Sequence, residues 1–551
     1  MRRHEMQSRL LLVILLFLLA GFALAARLFV IQVVKGAEFS KAAVIQRSLR
    51  LVYATGRGQI LDRHGKSLLG TLWEPVLVSF EPMLDNETRQ ALAVKGEGKR
   101  SSTHIIADQA VIASLQRENT AGLVPAQLEI RYGTSLLAPH ITGDIQKDEI
   151  VRERPPFREL IYTARSGLEL YFDDYLAARR PSTLAAVVDA QSRLISGLGF
   201  RDWSDDNPRR PFDVVTTINS SMQAATERIG EKHLTRGAIV VLEPKTGDIL
   251  AMASFPNDLL TEAYTGVSHS RFEEIKSHPD MPFINRAIRS YAPGSVFKVV
   301  LAAAALDTGL ADVPFICEGS IEVGDRRVSC FEGRAHGEVD LKRALAVSCN
   351  AYFINLGQRL GRETVLAFAD RFALGEAAGI TLHGEKAGRM PSLEEIPFLG
   401  DLANTSIGQG LVETTPLQLG RLMTIVANQG RDIKPRLVSR IVDNKGDTIR
   451  YFPVQPGTRV LSADTTRRLT ELMIEVTVTG TAHEAGKSYF TAAGKSGTAQ
   501  TGTNYNYTWF AGFAPVNENP LVMVVFSETK EKGNKTPTIF RELMEAILPL
   551  R

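Results

Sequence analysis

Disulfide chemistry has little to work with in this chain: three cysteines in 551 residues exclude a scaffold held together by many bridges. Neither sign of charge is in excess, with 64 basic against 61 acidic residues and a formal net charge of +3. No basic run is interleaved with aromatic residues, so nothing points to nucleic acid as a partner. Internal repeats and long low-complexity tracts are missing too, which argues against a repeat array. Long hydrophobic runs are also scarce, and the one present stands near the N-terminus.

What is there is ordinary globular composition, 44% hydrophobic and 23% charged. The length exceeds what one core organises, so two or three domains are expected. Residues 10–26 are uninterrupted apolar, preceded by Arg2, Arg3 and Arg9; after Arg27 the apolar character resumes to residue 34, apart from Gln32. The basic flank should stay in the cytoplasm, with everything after Lys35 outside the membrane. The rival reading is a cleaved signal peptide with Ala23-Leu24-Ala25 as its site. Because the run is longer than such a peptide's core and continues past the site, a retained single-span anchor in the cell membrane is expected. The expected organisation is a cytoplasmic tail (1–9), an anchor (10–34), a non-catalytic domain (35–210) and a catalytic domain (211–551).

Residues 35–210 carry no catalytic cluster. Short strands at 49–53 and 75–80 alternate with helical stretches at 88–94 and 167–178, and 95–102 reads as a surface loop. Residues 57–65, R-G-Q-I-L-D-R-H-G, look like a strand ending in a turn. The polar, Pro-containing segment 202–211 is the expected linker.

From residue 212 the chain is well punctuated. Two apolar runs, 237–242 and 248–253, flank Glu243-Pro244-Lys245-Thr246-Gly247 and predict a buried hairpin. Helical segments are expected over 341–360, 362–372 and 416–428, strands over 508–514 and 521–527, and a closing helix over 538–548. Strands first, helices between and strands last imply an α+β fold, an antiparallel sheet covered by helices.

Within that frame, Pro293 and Gly294 make a turn before an alanine-rich run that predicts a buried helix. Ser295 stands at its start and Lys298 three residues on, so the two share a face. A serine hydroxyl needs a neighbouring base to act as a nucleophile, and a lysine serves only if burial or nearby cations depress its pKa. Taken alone, S-x-x-K is more often an N-cap followed by a solvated lysine. Two further clusters change the balance: Ser348-Cys349-Asn350 before a helix, and Lys495-Ser496-Gly497-Thr498 opening a strand. Helix capping is the bland reading of Ser348 and Asn350. S-x-x-K, S-x-N and K-[ST]-G, in that order, form the motif set of penicillin-binding proteins and serine β-lactamases.

On these motifs the chain resembles a class B penicillin-binding protein, of the penicillin-binding protein 2 kind. The resemblance extends to Arg57–Gly65, to Ser166-Gly167-Leu168-Glu169, to Asn285-Arg286-Ala287, and to Ile407-Gly408-Gln409-Gly410 with Thr415-Pro416-Leu417-Gln418. It implies a single N-terminal membrane helix, an elongated pedestal and a β-lactamase-like transpeptidase domain. It also implies a D,D-transpeptidase that cross-links peptidoglycan stem peptides ending in D-Ala-D-Ala, is acylated by β-lactams, and works beside a polytopic membrane glycosyltransferase. Ser295 would attack the donor carbonyl and Lys298 accept its proton. Ser348 would relay that proton to the leaving amine, and Asn350 would bond a substrate amide. Lys495 would keep Lys298 neutral and, with Thr498, hold the substrate carboxylate. Ser496 and Gly497 complete the substrate-binding strand, and the N–H groups of Ser295 and Thr498 would form the oxyanion hole. A β-lactamase or D,D-carboxypeptidase of the same fold, and a non-enzymatic β-lactam sensor or scaffold, are the alternatives. The pedestal disfavours the first pair, and the single membrane run disfavours the sensor.

All three cysteines, Cys317, Cys330 and Cys349, fall within 33 consecutive residues, with His336 between the last two. Three thiolates and an imidazole would make a closed, structural zinc site. The alternative is a Cys317–Cys330 disulfide with Cys349 buried and free. No cofactor is needed for the chemistry itself. By the same resemblance, a histidine in such a Gly-flanked segment favours a role in elongation over septation.

Overall fold

The computed structural model describes residues 2–80, 83–84, 86, 103–106, 122–151, 158–177, 182–189, 191, 193–195, 200–202, 211–502 and 504–551. The helix expected at 88–94, the loop at 95–102 and nearly all of the linker at 202–211 lie outside them.

The apolar run forms a helix, Arg2–Phe29, continued by a wider turn, Val30–Val34. The stretch Met6–Val34 has 29 residues, none buried against the rest of the chain in its most apolar window. At about 1.5 Å per residue it is longer than the ~30 Å hydrocarbon core of a bilayer.

Three small sheets follow. Ser48–Ala54 pairs with Ser182–Val187, which pairs with Phe200–Asp202; Leu72–Phe80 lies between Thr103–Ile106 and Leu123–Ile130; Ile145–Val151 and Arg158–Ala164 form a hairpin. The helical stretch expected at 167–178 is two short helices, Gly167–Tyr171 and Asp173–Leu176, because Phe172 leaves the helical region at their junction. Glu169 is buried there, accepting hydrogen bonds from Arg57 Nε at 3.0 Å and Arg131 Nε at 2.7 Å. Two elements 112 residues apart are thus joined by buried charges that compensate one another.

The next two residues of that first motif that form a strand, Ile60–Leu61, pair in parallel with Asp213–Thr216, in a sheet completed by Val438–Val442 and Thr448–Tyr451. The boundary expected at 210 is therefore bridged by backbone pairing. Asp62 strengthens the seam by accepting from the backbone of His64, Lys66 and Ser220. The last of these lies at the start of helix α1, Ser220–His233.

The remainder is built on five antiparallel strands: β1 (Gly237–Leu242), β2 (Ile249–Phe255), β3 (Ala493–Gln500), β4 (Asn506–Ala514) and β5 (Leu521–Thr529), in spatial order β2-β1-β5-β4-β3. The hairpin expected from residues 237–253 is β1–β2. The inner strands read as continuous apolar runs because both faces are covered. On one face lie α1, whose Gly230 meets the Phe255 ring, and α7 (Thr536–Ile547), whose Phe540 packs on Phe510 at 4.6 Å. On the other lies α5 (Pro416–Ala427), with Gly420 against Leu242 and Val524. T-P-L-Q is the start of that helix: Thr415 and Gln418 form a capping box, with Pro416 at the first turn.

Helix α2 (Lys298–Thr308) is buried from Lys298 to Ala305, and its alanines let α6 (Ala463–Val478) and the helix Arg362–Arg371 pack close. The single helical run expected over 341–360 is two helices, α3 (Leu341–Ala346) and α4 (Asn350–Leu360). Ser348 breaks them apart with a left-handed backbone, φ 57°.

Candidate active site

Ser295 lies in a 3-10 turn, Gly294–Phe297, rather than at the start of the α-helix, which begins at Lys298. The turn exists because Gly294 takes φ 53° and because its missing side chain lets the edge strand approach. A Cβ on Gly294 would sit 2.6 Å from the Thr498 carbonyl oxygen, and one on Gly497 would sit 2.7 Å from that of Pro293. The S-x-x-K turn and the K-S-G-T strand are therefore in backbone contact. Trp509 Nε1 donates to the Ala292 carbonyl at 3.0 Å and Gly294 N to that of Gly408 at 3.0 Å, so β4 and the G-Q-G segment hold the turn from two sides. Ser295 itself is partly exposed.

Lys298 is fully buried. Its Nζ donates to Asn350 Oδ1 at 2.7 Å, to the Ser348 carbonyl at 2.8 Å and to Ser348 Oγ at 3.3 Å. The left-handed turn at Ser348 brings both its carbonyl and its hydroxyl onto the amine. Burial pushes the ammonium down to about 7, against the opposing pull of the Cys349 and Cys330 thiols. At neutral pH a large share of Lys298 is then the free amine that a general base requires.

Lys495 is also fully buried, and burial, followed by repulsion from Lys298, holds it well below the ordinary lysine range. Desolvation is the largest cause at both lysines, and the repulsion between the two ammonium groups acts on each of them. Lys495 Nζ donates to the Ser496 carbonyl at 2.9 Å. Ser496 Oγ lies 2.8 Å from Thr481 Oγ1, and Thr481 N donates to the Ala346 carbonyl at 2.9 Å. The strand with K-S-G-T is thereby tied to the helix preceding S-x-N. Asn534 adds a second clip, its amide donating to the Gly497 and Trp509 carbonyls at 3.1 and 3.0 Å. Neither Thr481 nor Asn534 stands in a motif, and only the folded geometry reveals them. Thr498 lies on β3, whose outer edge pairs with no strand among the described residues.

The capping role considered for Ser348 and Asn350 belongs to Cys349, whose Sγ accepts from Tyr352 N at 3.4 Å. Cys349 also belongs to a second cluster. The ligand atoms of Cys317, Cys330, His336 and Cys349 all lie within 4.8 Å of one another. Sγ of Cys330 is 3.7 Å from that of Cys317 and 3.8 Å from that of Cys349, and Cys317 Sγ is 3.4 Å from His336 Nδ1. All three thiols are free, so the expected alternative of a Cys317–Cys330 disulfide is overturned. A bridge needs sulfurs ~2.05 Å apart. Tetrahedral ligands at ~2.3 Å from a zinc ion stand ~3.8 Å apart, which these spacings match. The hydrogen bond between Cys330 and Cys349 lowers the first thiol and raises the second, so the two sulfurs share a proton.

The model of the family described as Penicillin binding protein transpeptidase domain matches residues 237–545. Stage V sporulation protein D of Bacillus subtilis (strain 168) is 27% identical over 546 residues, covering 94% of this chain and 81% of that protein. Peptidoglycan D,D-transpeptidase MrdA of Escherichia coli (strain K12) is 24% identical over 604 residues, covering 98% and 94%. Among solved structures, a chain from a study of structural coordination of polymerization and crosslinking by a peptidoglycan synthase complex superposes with a TM-score of 0.71 at 23% identity, covering 98% and 99%.

Proposed function

This chain belongs to the penicillin-binding protein transpeptidase family, and we infer from its site that it is a class B, penicillin-binding protein 2-like D,D-transpeptidase that cross-links peptidoglycan stem peptides through Ser295. Ser295 Oγ attacks the carbonyl of the donor's penultimate D-alanine while Lys298 takes the hydroxyl proton. The C–N bond to the terminal D-alanine breaks, and Ser348, in contact with Lys298, relays the proton to the departing amine. The acyl group on Ser295 then passes to an amine of a second stem peptide, restoring the hydroxyl. Asn350 holds Lys298 through Oδ1; Lys495 and Thr498 receive the donor carboxylate; the N–H groups of Ser295 and Thr498 meet the developing oxyanion. β-Lactams would enter the same step as donor mimics.

The observation that carries this reading is the buried Lys298 amine held at 2.7–3.3 Å by both side chains of the S-x-N motif. Its test is product analysis. With a D-Ala-D-Ala donor and an amine acceptor, the transfer product should accumulate and vanish in Ser295→Ala. Free acid as the dominant product would instead assign a hydrolase.

The spacing and donor set of Cys317, Cys330, His336 and Cys349 support a structural zinc ion as well. Four protein ligands leave no place for a reactive water. Its contribution would be to pin the backbone between Ser348 and Asn350 through Cys349. The 29-residue apolar helix supports a single-pass anchor with the catalytic region outside the cytoplasm, and the pedestal role falls to residues 35–210. Likeness to a chain of a peptidoglycan synthase complex supports a membrane glycosyltransferase as partner.

A further inference from the structure

Asn534 stands half-buried in the loop between β5 and α7. Its Oδ1 accepts from Thr536 N at 3.0 Å and from the Thr536 hydroxyl at 2.6 Å. A backbone N–H can only donate, so this contact settles which end of the side-chain amide is oxygen. Nδ2 therefore faces the sheet, with one N–H for each of two acceptors, the Gly497 carbonyl at 3.1 Å and the Trp509 carbonyl at 3.0 Å.

Gly497 and Trp509 stand directly opposite one another on β3 and β4. One nitrogen reaches both oxygens only if the two carbonyls point inward, into the space between the strands. That sets the direction of a third group. A trans peptide is planar with its C=O and N–H opposed, and the N–H that shares a plane with the Gly497 carbonyl is that of Thr498. Thr498 N–H is thus turned away from β4, to the open edge of β3. The Ser295 turn lies at the same edge: a Cβ on Gly294 would meet the Thr498 carbonyl oxygen at 2.6 Å, and the N–H and C=O of one strand residue point the same way.

Thr498 N–H is one of the two groups assigned above to the developing oxyanion. A hydrogen bond received by a carbonyl polarises its whole peptide group, so the N–H of that group becomes a stronger donor. The same bond holds the peptide plane against rocking. We propose that Asn534 is a positioning residue for the oxyanion hole: its amide orients and polarises the Gly497–Thr498 peptide so that Thr498 N–H meets the charge developing on the carbonyl under attack. The proposal rests on the transpeptidase reading and adds to it a residue that serves the site through another.

A brace for the start of α7 would need only Oδ1, which makes the two roles separable. Asn534→Asp keeps an oxygen for Thr536 but sets a second oxygen against the Gly497 and Trp509 carbonyls. Thr536→Val removes the hydroxyl contact and leaves Nδ2 in place. The full chain is acylated with penicillin carrying an isotopic label at the β-lactam carbonyl carbon, and infrared difference spectra report the stretch of the ester formed on Ser295. Stronger hydrogen bonding in the oxyanion hole lowers that frequency. Asn534→Asp should raise it and slow acylation on the order of tenfold, short of the roughly 10²–10³-fold that losing an oxyanion-hole donor itself costs. Asn534→Ala should shift it in the same direction, and serves if the aspartate variant does not fold. Thr536→Val should melt earlier while its ester keeps the wild-type frequency. A folded Asn534 variant with the wild-type frequency, or a Thr536→Val shift as large as that of Asn534→Ala, would overturn the proposal. A wild type that forms no ester with penicillin would instead remove the transpeptidase reading beneath it.

Discussion

Lys298 Nζ stands 2.7 Å from Asn350 Oδ1, so the amine that follows the nucleophile by three residues is held by a side chain 52 residues further on. The hydrogen bond orients the amine, and the burial that accompanies it keeps the amine short of protons.

From that pair comes a prediction about rate. Replacing Lys298 with methionine should lower the second-order rate of penicillin acylation by on the order of 10²–10⁴-fold, the usual worth of a positioned base. In the wild type the rate should climb as pH rises through about 7 and then level, because deprotonation of Lys298 makes the base. Stability follows the same sign: between about 7 and the ordinary lysine value near 10.5 the unfolded chain binds the extra proton, so stability rises with pH across that window. Acylation rates and melting temperatures from pH 5.5 to 9.5 check both.

A second prediction concerns the contact between turn and strand. Gly497→Ala would put a methyl group 2.7 Å from the Pro293 oxygen and 3.0 Å from Val296 Cγ2. Relief requires moving Ser295 relative to Thr498, and a displacement near 1 Å costs on the order of 10²-fold in rate. Stability should fall by about 1–3 kcal/mol, as for other overpacked positions. Acylation kinetics and thermal melts on one preparation separate the two effects.

Metal content supplies the third. Purified protein should hold one zinc per chain, and the denatured, unreduced chain should titrate as three thiols. Cys317→Ser, remote in sequence from the S-x-N motif, should lose the metal, melt earlier and acylate more slowly. Elemental analysis showing no zinc, or a count of one thiol, would contradict the cluster's assignment.

The buried charges around Glu169 supply the fourth. Glu169→Gln leaves Arg57 and Arg131, 2% and 3% exposed, without their principal counter-charge. Breaking a buried pair of this kind costs about 3–5 kcal/mol. Chemical denaturation should show that loss, while acylation of Ser295 at low temperature persists.

The strands β1, β2, β4 and β5 were legible in the sequence because each is apolar on both faces; the cap that Thr415 and Gln418 give the helix from Pro416 emerged only in the structure. The three motifs could be read because acyl transfer needs a nucleophile, a base and a carboxylate-binding strand. The break at Ser348 could not: residues 341–360 keep a helical pattern of apolar side chains, and the left-handed turn is imposed by the tertiary contacts of Lys298 and Cys349. Arg57 and Glu169 were each noticed, yet nothing in either segment announces that they meet. Thr481 meets the Ser496 hydroxyl and Asn534 the Gly497 and Trp509 carbonyls across long stretches of chain, and so neither leaves a motif.

Intact-mass analysis after incubation with penicillin addresses the central claim most directly. The account predicts one penicillin-sized adduct on the wild type, mapped to Ser295, and none on Ser295→Ala. An adduct of that mass on the alanine variant would contradict it.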